Sequence, residues 1–127
     1  MKKILAFLLS VIGLSTACSQ KNFESIDVKQ FAELIKNPDV TLLDVRTPQE
    51  YAEGHIEGAI LIDVKQNDFM EKARKQLPVG KTIAVYCRSG RRSTNACNKL
   101  MAEGYKVEEL KGGITAWQAE KMPVTKE

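Results

Sequence analysis

The chain has 127 residues and a formal net charge of +3, and 43% of its residues are hydrophobic while 28% are charged. This length suits one domain with a hydrophobic core of its own. The small net charge argues against nucleic acid as a general partner. We expect a monomer that needs neither a cofactor nor a metal.

The first 17 residues have the features of a secretory signal peptide. Lys2 and Lys3 precede an apolar run from Ile4 to Leu14, and small residues follow as far as Ala17. The apolar run is well short of the roughly 20 residues that a membrane-spanning helix needs. We therefore expect cleavage, which would remove two lysines and leave roughly 110 residues, near the common size of one domain.

Cys18 directly follows the small residues Ser15, Thr16 and Ala17. The segment LSTAC resembles the lipobox of bacterial lipoprotein signals, although Ser15 stands where leucine is usual. This resemblance implies that Cys18 is lipidated and that the protein is exported, to the periplasm or as a lipoprotein anchored in the outer membrane. Ordinary secretion stays open, because the same small residues suit a common signal peptidase. Residues 18–22 would then be a polar tether for a domain over residues 23–127.

The first part of that domain predicts a strand, a helix and then further strands. A short strand around Ile26 precedes a helix with Phe31, Leu34 and Ile35 on one face, and Asn37-Pro38 ends this helix. Apolar runs without clear alternation predict strands that are buried on both faces. These runs are Val40 to Val45, Ala59 to Ile62 and Thr82 to Tyr86.

The remaining stretches predict helices and one more strand. Helices are expected at Pro48 to Ala52, at Asp68 to Gln76, from Arg92 or Ser93 to Glu103, and around Ala116 and Trp117. Gly104 would cap the longest helix in a left-handed conformation. A strand from Lys106 to Leu110 and the Gly112-Gly113 turn follow it. Strands and helices that alternate in this way predict an α/β fold, a parallel sheet with helices on both faces.

Cys87 is the most informative position in the chain. It follows the apolar run TIAVY and opens the loop Cys87-Arg88-Ser89-Gly90-Arg91-Arg92 ahead of a helix. Ligands bind beyond the carboxyl ends of strands in open parallel sheets, and backbone N–H groups at a helix N-terminus stabilise anions such as a thiolate. Because Gly90 allows a tight curl, we interpret Cys87 as a nucleophile that is deprotonated at neutral pH.

The arginines of this loop distinguish Cys87 from an apolar core cysteine. Arg88, Arg91 and Arg92 lie within five residues of it and predict an anionic ligand. Cys97 lies inside the following helix and is typical of a buried apolar residue. We therefore assign the chemistry to Cys87 alone.

Three segments, in this order, resemble the rhodanese family: LLDVRTPQEYAEGHIEGAILI (Leu42 to Ile62), CRSGRRS (Cys87 to Ser93) and GGITAW (Gly112 to Trp117). The resemblance implies a five-stranded parallel sheet and a sulfurtransferase. Such an enzyme moves a sulfane sulfur from thiosulfate or another small donor to a thiol or other nucleophilic acceptor. The resemblance also implies that Cys87 carries the sulfur as a persulfide, which is cradled by the backbone of the substrate-binding residues Arg88, Ser89, Gly90, Arg91 and Arg92. Asp44 and Arg46 would support the loop, with Asp44 paired with Arg88.

Two positions depart from the two-domain, thiosulfate-specific members of that family. Glu50 stands where those enzymes carry an arginine that faces the sulfonate, and Ser89 stands where they carry a lysine. Arg91 and Arg92 are the cations that would replace them. The resemblance therefore implies the type of reaction and leaves the physiological donor open.

Other activities fit the sequence less well. A Cys-His hydrolase would need His55, the single histidine, as its base, but this position is structural in rhodaneses, and Trp117 is expected to pack in the core. Phosphatases and arsenate reductases of related fold have five residues between cysteine and arginine, whereas only four separate Cys87 from Arg92, and Ser93 takes the next place. A non-catalytic rhodanese module for protein docking or redox sensing stays the alternative from another functional class.

Overall fold

The computed structural model describes residues 23–127, so the predicted signal peptide, the tether and Cys18 lie outside the described residues. The strands are β1 (Glu24–Ile26), β2 (Val40–Asp44), β3 (Ile60–Leu61), β4 (Thr82–Tyr86) and β5 (Lys106–Leu110). They form one five-stranded sheet in the order β1-β5-β4-β2-β3. All neighbouring strands run parallel, which confirms the predicted sheet.

Within residues 23–127 the helices are α1 (Val28–Leu34), α2 (Pro48–Glu53), α3 (Phe69–Gln76), α4 (Arg91–Met101) and α5 (Gly113–Ala119). The first two begin at side-chain caps. Asp27 accepts a hydrogen bond from the Gln30 backbone while the Gln30 side chain accepts one from Asp27. Thr47 and Glu50 form the same reciprocal pair at α2. In this part of the chain, no helix has the length and apolar character that a membrane span requires.

Helices cover both faces of the sheet, and each face has its own hydrophobic core. On one face α3 and α4 pack against the sheet, with Leu100 and Val85 in the same cluster. On the other face α1 and α5 bring Phe31 and Trp117 over Ala84. Val85 and Ala84 are neighbours on β4 and serve opposite cores because successive side chains of a strand alternate between its faces. This is the double burial that apolar runs without alternation predicted.

Some boundaries differ from the predicted ones. α4 begins at Arg91 instead of Arg92 or Ser93, because Gly90, with a φ angle of 123°, is the residue that caps it. α4 also ends at Met101 rather than Glu103. β3 is reduced to two residues, since it lies at the edge of the sheet and is paired with β2 on one side.

The carboxyl ends of the strands meet at one edge of the sheet, as in every parallel sheet. β4 is the central strand, and residues Ile83 to Tyr86 are completely buried. Cys87 is the first residue beyond this strand. The fold therefore places it over the middle of the sheet, between the ends of β2 and β5.

Candidate active site

The Cys87 side chain turns into the loop that follows β4. The residue is 1% exposed, and the Gly90 backbone N–H donates a hydrogen bond to its Sγ atom at 3.0 Å. The Ser93 hydroxyl oxygen, in the first turn of α4, lies 3.4 Å from the same sulfur. The Gly90 N–H, at the N-terminus of α4, is a donor that stabilises negative charge on this sulfur.

Gly90 gives the loop its shape. Its φ angle of 123° is one that residues with side chains rarely adopt, and it turns the backbone N–H toward Cys87. The Gly90 carbonyl accepts hydrogen bonds from the backbone and hydroxyl of Thr94, at 3.2 and 2.9 Å. The prediction that Gly90 permits a tight curl is therefore confirmed.

The turn that begins α5 forms hydrogen bonds with the backbone of the Cys87 loop. The Ile114 N–H donates to the Cys87 carbonyl at 2.9 Å, and the Thr115 N–H donates to the Arg88 carbonyl at 3.1 Å. Gly113 approaches so closely that a Cβ atom there would overlap both of these carbonyl groups. The sequence predicted a turn at Gly112-Gly113 but not its contact with the loop, although the third motif of the resemblance contains this turn.

Arg92 of α4 and Glu50 of α2 form a bidentate ion pair. The guanidinium nitrogens lie 2.7 and 2.9 Å from the two carboxylate oxygens. The hydrogen bonds from Arg92, aided by those from Thr47, lower the pKa of Glu50 from 4.5 to about 2. The same hydrogen bonds raise the pKa of Arg92, and its attraction to Cys87 raises it further. Arg92 thus lies near the sulfur with its charge already balanced.

The other predicted loop residues lie at the surface. Arg88, Ser89 and Arg91 are exposed, and within residues 23–127 neither of these arginines forms an ion pair. Arg88 lines a cavity of about 410 Å³ that Glu50 and Glu53 of α2 also border. The three arginines that sequence analysis grouped therefore divide into one paired and two exposed cations.

The predicted pairing of Asp44 with Arg88 is wrong. The buried Asp44 carboxylate is bound instead by Arg46, through Nε at 2.9 and 3.1 Å and a terminal nitrogen at 2.7 Å. That nitrogen also donates to the Gly54 carbonyl at 2.8 Å. The Tyr86 hydroxyl accepts a hydrogen bond from the Ile56 N–H at 3.0 Å, and burial together with the nearby Asp44 carboxylate raises the pKa of Tyr86. Arg46 reaches the buried carboxylate because it follows β2 on the same segment, whereas Arg88 points to solvent.

Sequence analysis missed one buried acid near Cys87. Glu109 of β5 is 3% exposed, and its Oε2 atom accepts hydrogen bonds from Ser93 at 2.5 Å and Thr94 at 2.8 Å. An acidic residue at an inward position of a buried strand needs such partners. The position of this acid, directly before Leu110 in KVEEL, is the sequence feature that could have indicated it.

Residues that were interpreted as structural are buried in the interior of the domain. His55 is buried, its ring is stacked on that of Tyr51 and its Nδ1 atom hydrogen-bonds the Tyr51 carbonyl at 2.8 Å. Trp117 packs in a core and donates from Nε1 to the Pro123 carbonyl at 2.8 Å. Cys97 is completely buried in the opposite core.

Known proteins are similar to this chain in sequence and in fold. Residues 27–120 match the family model of the Rhodanese-like domain. A sulfurtransferase of Allochromatium vinosum is 38% identical over 72% of this chain and 83% of its own. Thiosulfate sulfurtransferase 18 of Arabidopsis thaliana is 32% identical over 91% of this chain and 93% of its own. The crystal structure of a rhodanese-related protein from Thermoplasma volcanium has a TM-score of 0.74 at 36% identity and covers 83% of this chain and 100% of that one. The chain therefore belongs to the rhodanese-like domain family.

Proposed function

We propose that this protein is a sulfurtransferase that carries a sulfane sulfur as a persulfide on Cys87. The observation that carries the proposal is the Gly90 N–H, which points at the Cys87 sulfur from a loop at the carboxyl end of β4. A negatively charged sulfur, as thiolate or as persulfide, is the species that this N–H and the adjacent helix N-terminus suit. Relatives named as sulfurtransferases match most of this chain and support the same class of reaction.

The proposed reaction consists of two displacements at sulfur. The Cys87 thiolate attacks the outer sulfur of the donor; with thiosulfate, the bond between its sulfur atoms breaks and the electron pair leaves with sulfite. An acceptor thiolate then attacks the outer sulfur of the persulfide, the bond to Cys87 breaks, and the Cys87 thiolate is regenerated. Neither step needs an external oxidant or reductant.

The charges around the loop bear on the choice of donor. Arg91 and Arg92 were the expected binding residues for an anionic donor, but the Arg92 guanidinium is bound to Glu50. We therefore assign donor binding to the exposed Arg88 and Arg91. The name of the Arabidopsis relative makes thiosulfate the first donor to test. The cavity beside Arg88, of about 410 Å³, is the adjacent space for a donor or a small thiol acceptor.

Export and lipid anchoring through Cys18 are part of the proposal. Lysines, an apolar run and the segment LSTAC at the start of the chain support it. Stable anchoring needs more than one acyl chain, since each buried CH₂ contributes roughly 0.8 kcal/mol. The protein should partition into detergent, and Cys18→Ala should yield a soluble or unprocessed form. Unchanged processing with an unacylated N-terminus would favour ordinary secretion.

Intact mass after incubation with thiosulfate tests the sulfur transfer. The wild-type protein should gain the mass of one sulfur atom and lose it again when a thiol acceptor is added. Cys87→Ser should gain nothing, whereas Cys97→Ser, the matched control from the buried face of α4, should gain one sulfur. No gain from thiosulfate or from a persulfide donor would favour the docking or redox-sensing module. Equal loss in both variants would indicate a redox mechanism with two cysteines.

A further inference from the structure

The Glu109 carboxyl group has no part in the two sulfur displacements, yet one hydroxyl connects it to the nucleophile. The Ser93 oxygen lies 2.5 Å from Glu109 Oε2 and 3.4 Å from Cys87 Sγ. All three residues are buried. A continuous path of hydrogen bonds, shielded from solvent, therefore leads from the reacting sulfur to a titratable acid.

The Ser93 hydroxyl has a single proton and three neighbouring acceptors, Glu109 Oε2, Cys87 Sγ and the Gly90 carbonyl at 3.2 Å, so it donates to one of them at a time. When Glu109 is ionised, Ser93 donates to the carboxylate and the Cys87 thiol donates to the Ser93 oxygen. When Glu109 is neutral, the carboxylic acid donates to Ser93, and Ser93 donates to the Cys87 thiolate. Both arrangements satisfy every member of the path, and they differ only in the end that holds the proton.

The charged groups near the Cys87 end favour a thiolate there. The Gly90 N–H donates to the sulfur. The Arg92 guanidinium of α4 attracts it, while Glu50 of α2 and Asp63, beyond β3, act on Arg92 in turn. Hydrogen bonds to charged groups are stronger than those between neutral groups. A negative charge on Cys87 is thus met directly by the N–H donor, and without a hydrogen bond by a guanidinium that Glu50 already binds.

At the other end of the path, hydroxyl groups donate hydrogen bonds to Glu109. Its Oε2 atom accepts from Ser93 and Thr94, and within residues 23–127 no lysine or arginine forms an ion pair with it. On the strands beside β5, Tyr86 of β4 packs in the opposite core and Glu24 of β1 is exposed. A buried carboxylate without a cation is costly, so this end can house the proton that the sulfur gives up.

We propose that Glu109 and Cys87 share one proton through Ser93 and that both placements are populated: Cys87 is a thiolate in the molecules in which Glu109 holds the proton, and a thiol in the others. In the transfer, the Cys87 S–H bond breaks as its proton moves to the Ser93 oxygen, and the former Ser93 proton moves to Glu109 Oε2. Ser93 touches the reacting sulfur, and Glu109 is a positioning residue that acts through it. The inference rests on the proposed function in that Cys87 is taken as the nucleophile.

The pH profile of Cys87 alkylation tests the shared proton. The full-length protein is treated with iodoacetamide without any sulfur donor, and the rate is read by mass spectrometry of the peptide that contains Cys87. Interacting groups lose their protons in two macroscopic steps, so the wild-type rate should rise in two steps with a plateau between them. Glu109→Gln keeps an acceptor for Ser93 but cannot take a proton. Its rate should rise in one step that is complete while the wild type is still on its plateau.

Variants of the two hydroxyl residues sharpen this test. Ser93→Ala removes the donor to the thiolate and should lower the plateau rate by roughly tenfold, the effect of one hydrogen bond to a charged group. Ser93→Thr restores a hydroxyl and should restore the rate. Thr94→Val is the matched control: it removes the other hydroxyl bound to Glu109, which does not bridge to the sulfur, and it should keep the two steps.

The wild-type curve alone can decide against the proposal. A single step in the wild type, or a Glu109→Gln profile that superimposes on the wild-type profile, would overturn the shared proton, whatever the stability of the other variants. Alkylation requires no sulfur transfer, so the two proposals can fail separately. A two-step profile in a protein that never gains sulfur would support the shared proton and contradict the persulfide.

Discussion

Two ion pairs flank the Cys87 loop, and their burial differs. The side chains of Asp44 and Arg46 are 0% and 6% exposed, whereas those of Glu50 and Arg92 are 24% and 20% exposed. Both pairs have a shortest N–O distance of 2.7 Å, so distance does not separate them. The two pairs differ instead in their exposure to solvent and in the residues around them.

The buried pair supports the Cys87 loop from below. Arg46 also binds the Gly54 carbonyl, and its guanidinium carbon lies 5.6 Å from the ring centre of Tyr86, the residue before Cys87. The outer pair joins Arg92, in the first turn of α4, to Glu50, which is also part of the cap of α2. A buried pair is costly to break but contributes little when compared with an apolar replacement of both partners. We infer that the first pair fixes geometry and the second adjusts the charge that a donor meets.

The largest expected effect comes from breaking the buried pair on one side. Arg46→Ala leaves the Asp44 carboxylate buried without its cation and should lower the free energy of unfolding by about 3–5 kcal/mol. The double variant Asp44→Leu with Arg46→Met removes both charges and should be more stable than Arg46→Ala. Urea unfolding measures both. A loss under about 1 kcal/mol in Arg46→Ala would mean that this pair does not support the structure below the loop.

The outer pair should control donor use. Glu50→Arg releases Arg92 and adds a second cation, so the kcat/KM for thiosulfate should rise roughly tenfold, mainly through a lower KM, as expected for one added charge-assisted hydrogen bond. Glu53→Arg places the same charge on the same helix beside the same cavity and is the control for general electrostatic attraction. An equal gain in both variants would remove any special role of the Glu50–Arg92 pair.

The outer pair also predicts a pH dependence of stability. The pKa of Glu50 is lowered from 4.5 to about 2, so its contribution is present above the ordinary value and is lost as the pH falls from about 4.5 through about 2. Over this range the wild type should lose about 2 kcal/mol more than Glu50→Gln, allowing for partial exposure. Glutamine keeps an acceptor for the cap of α2, so the difference reports mainly the ion pair with Arg92, the largest cause of the lowered pKa. Parallel curves of unfolding free energy against pH would contradict this.

The sheet could be predicted because its signals are local. Runs such as Thr82 to Tyr86 are apolar without alternation, which requires burial on both faces, and the structure has this strand in the centre of the sheet. Gly90 and its loop were found for the same reason, since a glycine between a strand and a helix determines the local backbone. These features depend on neighbouring residues in the chain.

The partners of the site residues could not be predicted in the same way. Glu50 and Arg92 are 42 positions apart, and Ser93 and Glu109 are 16 apart, so their contacts depend on how helices pack on the sheet. The error on Asp44 has the same origin. The sequence offers two arginines near that carboxylate, Arg46 and Arg88, and only the packed fold decides which of them is buried beside it.

The smallest expected effect distinguishes those two arginines. Arg88 is exposed, and it is its backbone carbonyl, not its side chain, that Thr115 of α5 binds. Arg88→Ala should therefore change the free energy of unfolding by no more than about 0.5 kcal/mol, while the KM for thiosulfate rises because a cation at the cavity is lost. Arg46→Ala is the matched comparison, since it removes the same side chain from the buried position. If urea unfolding found the two variants equally destabilised, Arg88 would hold Asp44 as well. The distinction between a structural Arg46 and a donor-binding Arg88 would then be wrong.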